Sequence, residues 1–246
     1  MRNLVLLPLA AVLAIAPIAS AQSALFIVSQ HGKTVGTAGF SFTATPDGYN
    51  STSLVRVALE GLHYDLSKTE RLTQANHLSQ VQLSAVVNGA SVSVTAAPDP
   101  KADAGQILLS TSANGHTDNT SLPGHAAAVF LPDFDPGALE TLLALGVANN
   151  SRDLWAIIPK KAGTIEPIRL ATYADEHGTL DGKPVVVHHQ VATIAGGDTD
   201  LFSGPENQLL QAELPQSGFA LVRKGFILTP PAKAGAPPTP PPAPAQ

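Results

Sequence analysis

The stretch that decides the fold runs from residue 78 to residue 96 and reads LSQVQLSAVVNGASVSVTA. Its apolar residues alternate with serine, glutamine and threonine on both sides of a central Asn88-Gly89 pair. Alternation with a period of two places the apolar side chains on one face of a strand. Asn-Gly is the strongest short hairpin signal, because both positions of a type I′ turn need a positive φ. The stretch is therefore predicted to form an antiparallel hairpin of strands 78–87 and 90–96.

The same alternation recurs along most of the chain. Short apolar runs are separated by Gly, Asn, Asp and Pro, which is typical of a domain built mainly from β-strands. Further strands are predicted over residues 24–30, 34–45, 54–59, 106–112, 126–131, 154–158, 165–173, 184–194, 209–214 and 219–228.

One segment breaks the period of two. Asp135 and Pro136 have the residue types preferred at the N-cap and at the first position of a helix. The leucines that follow, Leu139, Leu142 and Leu143, share one helical face. A single short helix is therefore predicted, with its apolar stripe packed against the sheet.

The two ends of the chain differ in composition from its middle. Residues 1–21 consist of one arginine, an apolar run and an Ala-Ser-Ala ending, as in a cleavable signal peptide. A membrane helix is the alternative for this run, but its prolines and small-residue ending favour cleavage, which would leave no stable membrane span. Residues 22–229 are predicted to form one β-rich domain. Residues 230–246 include 8 prolines among 17 residues and are predicted to be a disordered tail. The protein is therefore expected in the periplasm or outside a bacterial cell.

Composition excludes several classes of function. The 246 residues include 14 Lys and Arg, 19 Asp and Glu and no cysteine, and the formal charge is −5. Without cysteine the chain has no disulfide, thiolate nucleophile or thiolate metal ligand. A mildly acidic chain without basic clusters is a poor candidate for nucleic-acid binding, because phosphate neutralisation requires many Lys and Arg side chains. No nucleic-acid partner is predicted, and a protein partner is left unknown.

Two stretches resemble a group of uncharacterised bacterial envelope proteins. They are Gly32-Lys33-Thr34-Val35-Gly36, which resembles the opening hairpin of that group, and residues 198–223, which resemble its closing hairpin. The group is similar in architecture to periplasmic lipoprotein carriers. The resemblance implies a mainly β fold: a curved antiparallel sheet (half-barrel) enclosing one short central helix. It implies no activity.

Candidate chemistry is sparse. His188 and His189 are adjacent, so on a strand their side chains point to opposite faces and cannot easily bind one metal ion. His116 and His125 lie near several aspartates, but their spacing matches no defined metal-ligand pattern. The chain has no G-x-S-x-G nucleophile motif. No catalytic residue, metal or cofactor is therefore predicted, and the protein is expected not to be an enzyme.

Ligand binding is the function that the pattern favours. The candidate ligand-binding residues are Phe40, Phe42, Leu142 and Trp155. Large apolar side chains of this kind either line a cavity or pack in the core. The expected partner is a hydrophobic small molecule or lipid held in the concave face of the sheet. The alternatives are an envelope scaffold that uses its Pro-rich tail, and a hydrolase that uses His188 or His189 with a nearby acid.

Overall fold

The computed structural model describes residues 22–102, 105–160 and 163–230. Within these ranges the chain forms strands and one helix, and the strands build a large, curved, unclosed antiparallel sheet. The predicted fold class is therefore confirmed. The predicted signal peptide, residues 1–21, and the Pro-rich tail after Pro230 lie outside the described residues, and the predicted domain boundaries stay predictions.

The elements follow one another as strands, then the helix, then strands again. The first nine strands are β1 (Gln22–Gln30), β2 (Lys33–Thr45), β3 (Gly48–Leu59), β4 (Leu62–Thr73), β5 (Leu78–Val87), β6 (Ala90–Pro98), β7 (Gln106–Ala113), β8 (His116–Pro123) and β9 (Ala128–Phe130). After the helix α1 (Pro136–Ala148) come β10 (Leu154–Ile158), β11 (Thr164–Thr172), β12 (Glu176–Leu180), β13 (Lys183–Ile194), β14 (Gly197–Ser203), β15 (Leu209–Leu214), β16 (Phe219–Arg223) and β17 (Phe226–Leu228).

Strand β1 lies in the middle of the sheet, between β2 and β16. From β2 the sheet continues through successive hairpins to β8. In the other direction it runs from β16 through β15, β14, β13, β11 and β10 to β9, which pairs with β10 in parallel. Strand β12 pairs with the first half of β13 and with β17. The sheet curls so far that β9 contacts β5 and β8 contacts β11.

The hairpin at residues 78–96 is confirmed. Strands β5 and β6 pair from Val81 with Ala96 to Val87 with Ala90. Asn88 and Gly89 both have positive φ, at 50° and 83°, as the turn requires.

Several strands were not predicted. The chain forms β4, β8, β12 and β14 where no strand was expected. The predicted strand at residues 219–228 is divided into β16 and β17 at Gly225, whose φ is +87°. In β8, β12 and β14 polar residues lie on both faces, so there is little apolar alternation. Strand β4 begins with the alternating Leu62, Tyr64 and Leu66, but its inward face continues with the charged Lys68 and Glu70.

Helix α1 begins where it was predicted. The Asp135 carboxylate accepts hydrogen bonds from the backbone N–H groups of Gly137 and Ala138, at 2.9 and 3.2 Å. The helix packs on β2, β3, β9 and β15 inside the curl. Nearly all of its first three turns are buried, rather than the single stripe that was predicted. It is therefore a central helix surrounded by the sheet.

Lys68 holds the start of this helix in place. Its Nζ lies 2.7 Å from Oδ2 of Asp135 and 3.0 Å from Oε2 of Glu70, and all three side chains are fully buried. Burial by itself would lower the pKa of Lys68, but the carboxylates of Asp135 and Glu70 more than offset it, so the net pKa is raised. Burial raises the pKa of Glu70, and Lys68 compensates only in part. The carboxylate of Asp135 therefore has two roles: it caps the helix, and it pairs with a buried cation.

Glu140 holds the first turns of the helix from another side. Its Oε2 accepts a hydrogen bond of 2.6 Å from the backbone N–H of Leu209 on β15, and its Oε1 accepts one from the side chain of Gln22 on β1. Burial raises the pKa of Glu140 to about 7, although these hydrogen bonds and the nearby Arg223 act in the opposite direction. The helix is thus tied by polar contacts to β1, β4 and β15.

We expect Lys68→Met to lower the free energy of unfolding by about 3–5 kcal/mol, because it leaves Asp135 buried without its cation. Arg56→Met is the matched control, since Arg56 forms a 3.6 Å ion pair with Asp65 on the exposed face. It should change stability by less than about 1 kcal/mol. Urea unfolding followed by the fluorescence of Trp155, the one tryptophan, measures both. Equal losses in the two variants would contradict the role given to Lys68.

We expect Glu140→Gln to weaken the pH dependence of stability. The pKa of Glu140 rises from 4.5 to about 7 on folding, so the folded protein binds an extra proton between these values. The contribution of Glu140 to stability therefore falls as the pH rises from about 4.5 to about 7. Urea unfolding at several pH values should show that the free energy of unfolding falls less over this pH range in Glu140→Gln than in the wild type. The control is Glu206→Gln, the same change on an exposed side chain. The prediction is wrong if the free energy of unfolding changes with pH by the same amount in the wild type and in both variants.

Candidate ligand-binding site

A cleft of about 400 Å³, here called the main cleft, opens on the concave side of the sheet. One wall is formed by aliphatic side chains that point inward from β4, β5, β6 and β7. These are Leu62, Leu83, Ala85, Val87, Val92, Val94 and Ala113, together with Tyr64 and Thr111. The alternation of each strand places these residues on the same face, so the wall follows directly from the hairpins that build the sheet.

Residues 131–135 are here called the bridge segment. The opposite wall of the cleft is formed by Pro132, Asp133 and Phe134 of this segment and by Pro159 and Lys160. The bridge segment connects β9 to the helix. Lys160 Nζ lies 2.7 Å from Oδ2 of Asp133 in an ion pair at the exposed rim. The segment ends at Asp135, which Lys68 holds, so the buried ion pair also fixes this wall of the cleft.

A second cavity of about 220 Å³, here called the side chamber, lies on the other side of the bridge segment. Its walls include Leu139 of the helix, Ile158 of β10, Leu214 of β15 and Leu221 of β16. The side chamber shares Pro132, Asp133, Phe134 and Lys160 with the main cleft. The bridge segment therefore separates two apolar spaces.

Phe134 is the aromatic residue of this partition. Its ring centroid lies 6.0 Å from that of Tyr64 on β4 and 4.7 Å from that of Phe219 on β16. Its φ is +56°, a left-handed conformation that is unusual for a bulky side chain. The ring therefore spans the interior between the two walls of the curled sheet.

Besides Asp133 and Lys160 at the rim, Tyr64 and Thr111 bring polar groups to the main cleft. Burial, and to a smaller extent the charges of Asp133 and Asp135, raise the pKa of Tyr64 well above its ordinary value, so its phenol stays neutral. Oγ1 of Thr111 is buried and has no hydrogen-bond partner among the described residues. A hydroxyl in this position can donate to an acceptor oxygen on a ligand.

The predicted ligand residues do not lie together. Phe40 and Leu142 are buried in the core, and Phe40 packs against Phe26 and Phe42. Phe42 lines a separate, more polar cavity of about 390 Å³ near Glu140. Trp155 is half-buried and stacks on His125 at 3.8 Å. None of the four lines the main cleft, and their role in binding stays a prediction.

The two adjacent histidines point to separate partners, as expected on a strand. Nδ1 of His188 lies 2.9 Å from Oδ1 of Asp175. Nε2 of His189 lies 2.8 Å from Oδ1 of Asp200, and its Nδ1 faces Glu176 at 3.4 Å. Carboxylates on both sides of His189 leave neither ring nitrogen open to a serine hydroxyl. Within the described ranges, no group of three His, Cys, Asp or Glu side chains could hold a metal ion.

The residues that form the cleft were not among the sequence candidates. The wall on β4 to β7 is mainly aliphatic, whereas three of the four predicted ligand residues are aromatic. Lys68 gave one usable signal: it interrupts the inward series Leu62, Tyr64 and Leu66 on β4. A charged side chain at an inward position requires a buried partner, although the sequence does not say which one.

Comparison with known proteins shows the fold and no more. No family model matches the chain, and no curated protein matches it. Across the described residues, no helix is long and apolar enough to cross a membrane. The chain is similar in structure to a β-barrel-like protein of a domain of unknown function, DUF1849, from Brucella abortus, with a TM-score of 0.55 and 10% sequence identity. The match covers 85% of this chain and 98% of the other, so the chain shares its overall fold with a solved β-barrel-like protein.

Proposed function

We propose that this protein is an exported, non-enzymatic envelope protein that binds a single hydrophobic chain, such as the acyl chain of a lipid or lipoprotein, in the main cleft. The observation that carries the proposal is the aliphatic lining of a cleft of about 400 Å³ on the concave side of the sheet. The helix fills the neighbouring part of the interior and leaves this part open.

Size and lining both support an acyl chain. Pockets for small ligands have volumes of about 300–1,000 Å³ and are mostly apolar, and the main cleft falls within this range. Burial of hydrocarbon stabilises a complex by about 0.8 kcal/mol for each methylene removed from water. The aliphatic wall offers few directional contacts, which favours a flexible hydrocarbon chain over a polar or rigid ligand.

The unpartnered hydroxyl of Thr111 indicates which hydrophobic ligand fits best. A plain hydrocarbon would leave this buried donor unpaired, whereas a carboxyl or ester oxygen would accept its hydrogen bond. An acyl chain carries such an oxygen at one end. The proposed ligand is therefore an acyl group rather than an alkane.

Export and a carrier-like role form the remaining parts of the proposal. They are supported by the signal-peptide pattern of residues 1–21 and by the sequence resemblance to envelope proteins whose architecture is similar to that of periplasmic lipoprotein carriers. The alternative is an envelope scaffold that acts through its Pro-rich tail.

Native mass spectrometry and solvent extraction of the protein, purified from the envelope of its own cells, test the proposal. A bound mass in the lipid range, extractable as an acyl compound, is the expected result. A bare protein that also binds no added fatty acid would overturn the proposal in favour of the scaffold.

We expect Ala113→Phe to weaken binding of a fluorescent fatty acid by about tenfold or more, because the ring would displace at least two buried methylenes. Ala113 is half-buried and lines the main cleft. The matched control is Ala44→Phe, since Ala44 is also half-buried but lines the separate cavity near Glu140. A fluorescence titration compares the affinities. The site is wrongly assigned if Ala44→Phe has the larger effect.

We expect Thr111→Val to weaken fatty-acid binding by about threefold to tenfold, the usual worth of one neutral hydrogen bond. Valine keeps the shape of threonine and removes only the hydroxyl. Calorimetric titrations are carried out with a fatty acid and with a hydrocarbon probe that lacks an acceptor oxygen. Together they separate the contribution of the Thr111 hydrogen bond from that of hydrocarbon burial. The hydrocarbon should bind the variant at least as well as the wild type, and an equal loss for both ligands would exclude a hydrogen bond from Thr111.

A further inference from the structure

We propose that Phe134 is a specificity-determining residue: it closes the main cleft toward the side chamber and so limits the length of the chain that the protein binds. This inference rests on the proposed function, since it concerns the ligand of the same cleft. It adds the size of the preferred ligand and the residue that sets it.

The position of Phe134 is the first argument. Two apolar spaces of about 400 and 220 Å³ share it as a wall residue. Its ring packs against Tyr64, which lines the main cleft, and against Phe219 on β16. A chain that fills the main cleft therefore meets this ring before it can enter the side chamber.

The backbone of Phe134 is the second argument. A φ of +56° is common for glycine and asparagine but costs energy for a phenylalanine. Such conformations persist only where the surroundings determine them, and they cluster at ligand sites and switches. Here the next residue, Asp135, is held by Lys68 at 2.7 Å. Glycine would adopt this backbone conformation at lower cost. The phenyl ring is therefore present although the backbone conformation at this position disfavours it.

Removal of the ring has a definite consequence for binding. It would connect the side chamber to the main cleft and enlarge the space by about half. Each further methylene that leaves water should raise the affinity about fourfold. Affinity in the wild type should therefore rise with chain length and then level off, and the plateau should move to longer chains once the ring is gone.

The experiment is a set of calorimetric titrations with saturated fatty acids of increasing length, on the wild type and on Phe134→Gly. Glycine removes the ring and accepts the positive φ. Phe134→Leu is the second variant, and it serves if the glycine variant does not fold. It removes the ring contacts with Tyr64 and Phe219 but keeps an apolar side chain, so it should move the plateau by a smaller amount than Phe134→Gly. Tyr173→Ala, which shortens an exposed aromatic side chain, is the control and should keep the wild-type plateau.

A further variant tests whether the side chamber accepts the extra length. Thr199 lines the side chamber and not the main cleft. Thr199→Phe, added to Phe134→Gly, should return the plateau to the wild-type length.

The outcomes separate the two proposals. If the wild type binds no fatty acid of any length, the proposed function fails. If the wild type binds with a plateau that neither Phe134 variant moves, the proposed function stands and the role of Phe134 is overturned. A plateau that moves in Phe134→Gly and returns with Thr199→Phe supports the role of Phe134 as the partition.

Discussion

The fully buried ion pair between Lys68 and Asp135 is the contact on which the interior of this protein depends. A cation in the concave face of an apolar sheet must be matched by an anion, because an unpaired buried charge costs several kcal/mol. The matching anion belongs to the residue that caps the helix. One contact therefore fixes both where the helix starts and where the bridge segment ends. The position of the bridge segment in turn determines how the interior is divided.

The parts of the fold that could be predicted from the sequence are those whose signals are local. The hairpin at residues 78–96 follows from Asn88-Gly89 and the alternation on both sides of it. The helix follows from Asp135 and Pro136, two adjacent residues with known preferences. In both cases a few neighbouring residues are enough to fix the local backbone, whatever packs against it.

Strands β8 and β14, which were not predicted, had no such signal. Strand β8 reads His-Thr-Asp-Asn-Thr-Ser-Leu-Pro, with polar side chains on both faces. Strand β14 begins with Gly-Asp-Thr-Asp, which is typical of a turn in isolation. These segments are strands because neighbouring strands supply their hydrogen bonds. Tertiary context overrides propensity here, and a single sequence does not show that context.

The candidate site was harder to predict than the fold. Lys68 and Asp135 are far apart in the sequence, so their contact depends on the curl of the sheet. Phe134 looks like any apolar residue before a helix, and only its φ and its two ring contacts distinguish it. Large apolar side chains were predicted as ligand residues, but size alone does not distinguish a cavity wall from core packing. Phe40 and Phe42 pack against each other, and Phe42 also lines the cavity near Glu140.

Polar contacts define the helix position in a way that apolar packing does not. Apolar contacts of a buried helix are less directional than ion pairs and hydrogen bonds. Asp135 and Glu140 make the directional contacts: the first meets Lys68 on β4, and the second meets the backbone of Leu209 on β15. Contacts at two points along one helix fix both its translation and its rotation. Well-packed apolar residues often replace a buried ion pair without loss of stability, so the contribution of these carboxylates is to the position of the helix. The proposed selection of a chain by its length requires walls of fixed position, and these two carboxylates supply them.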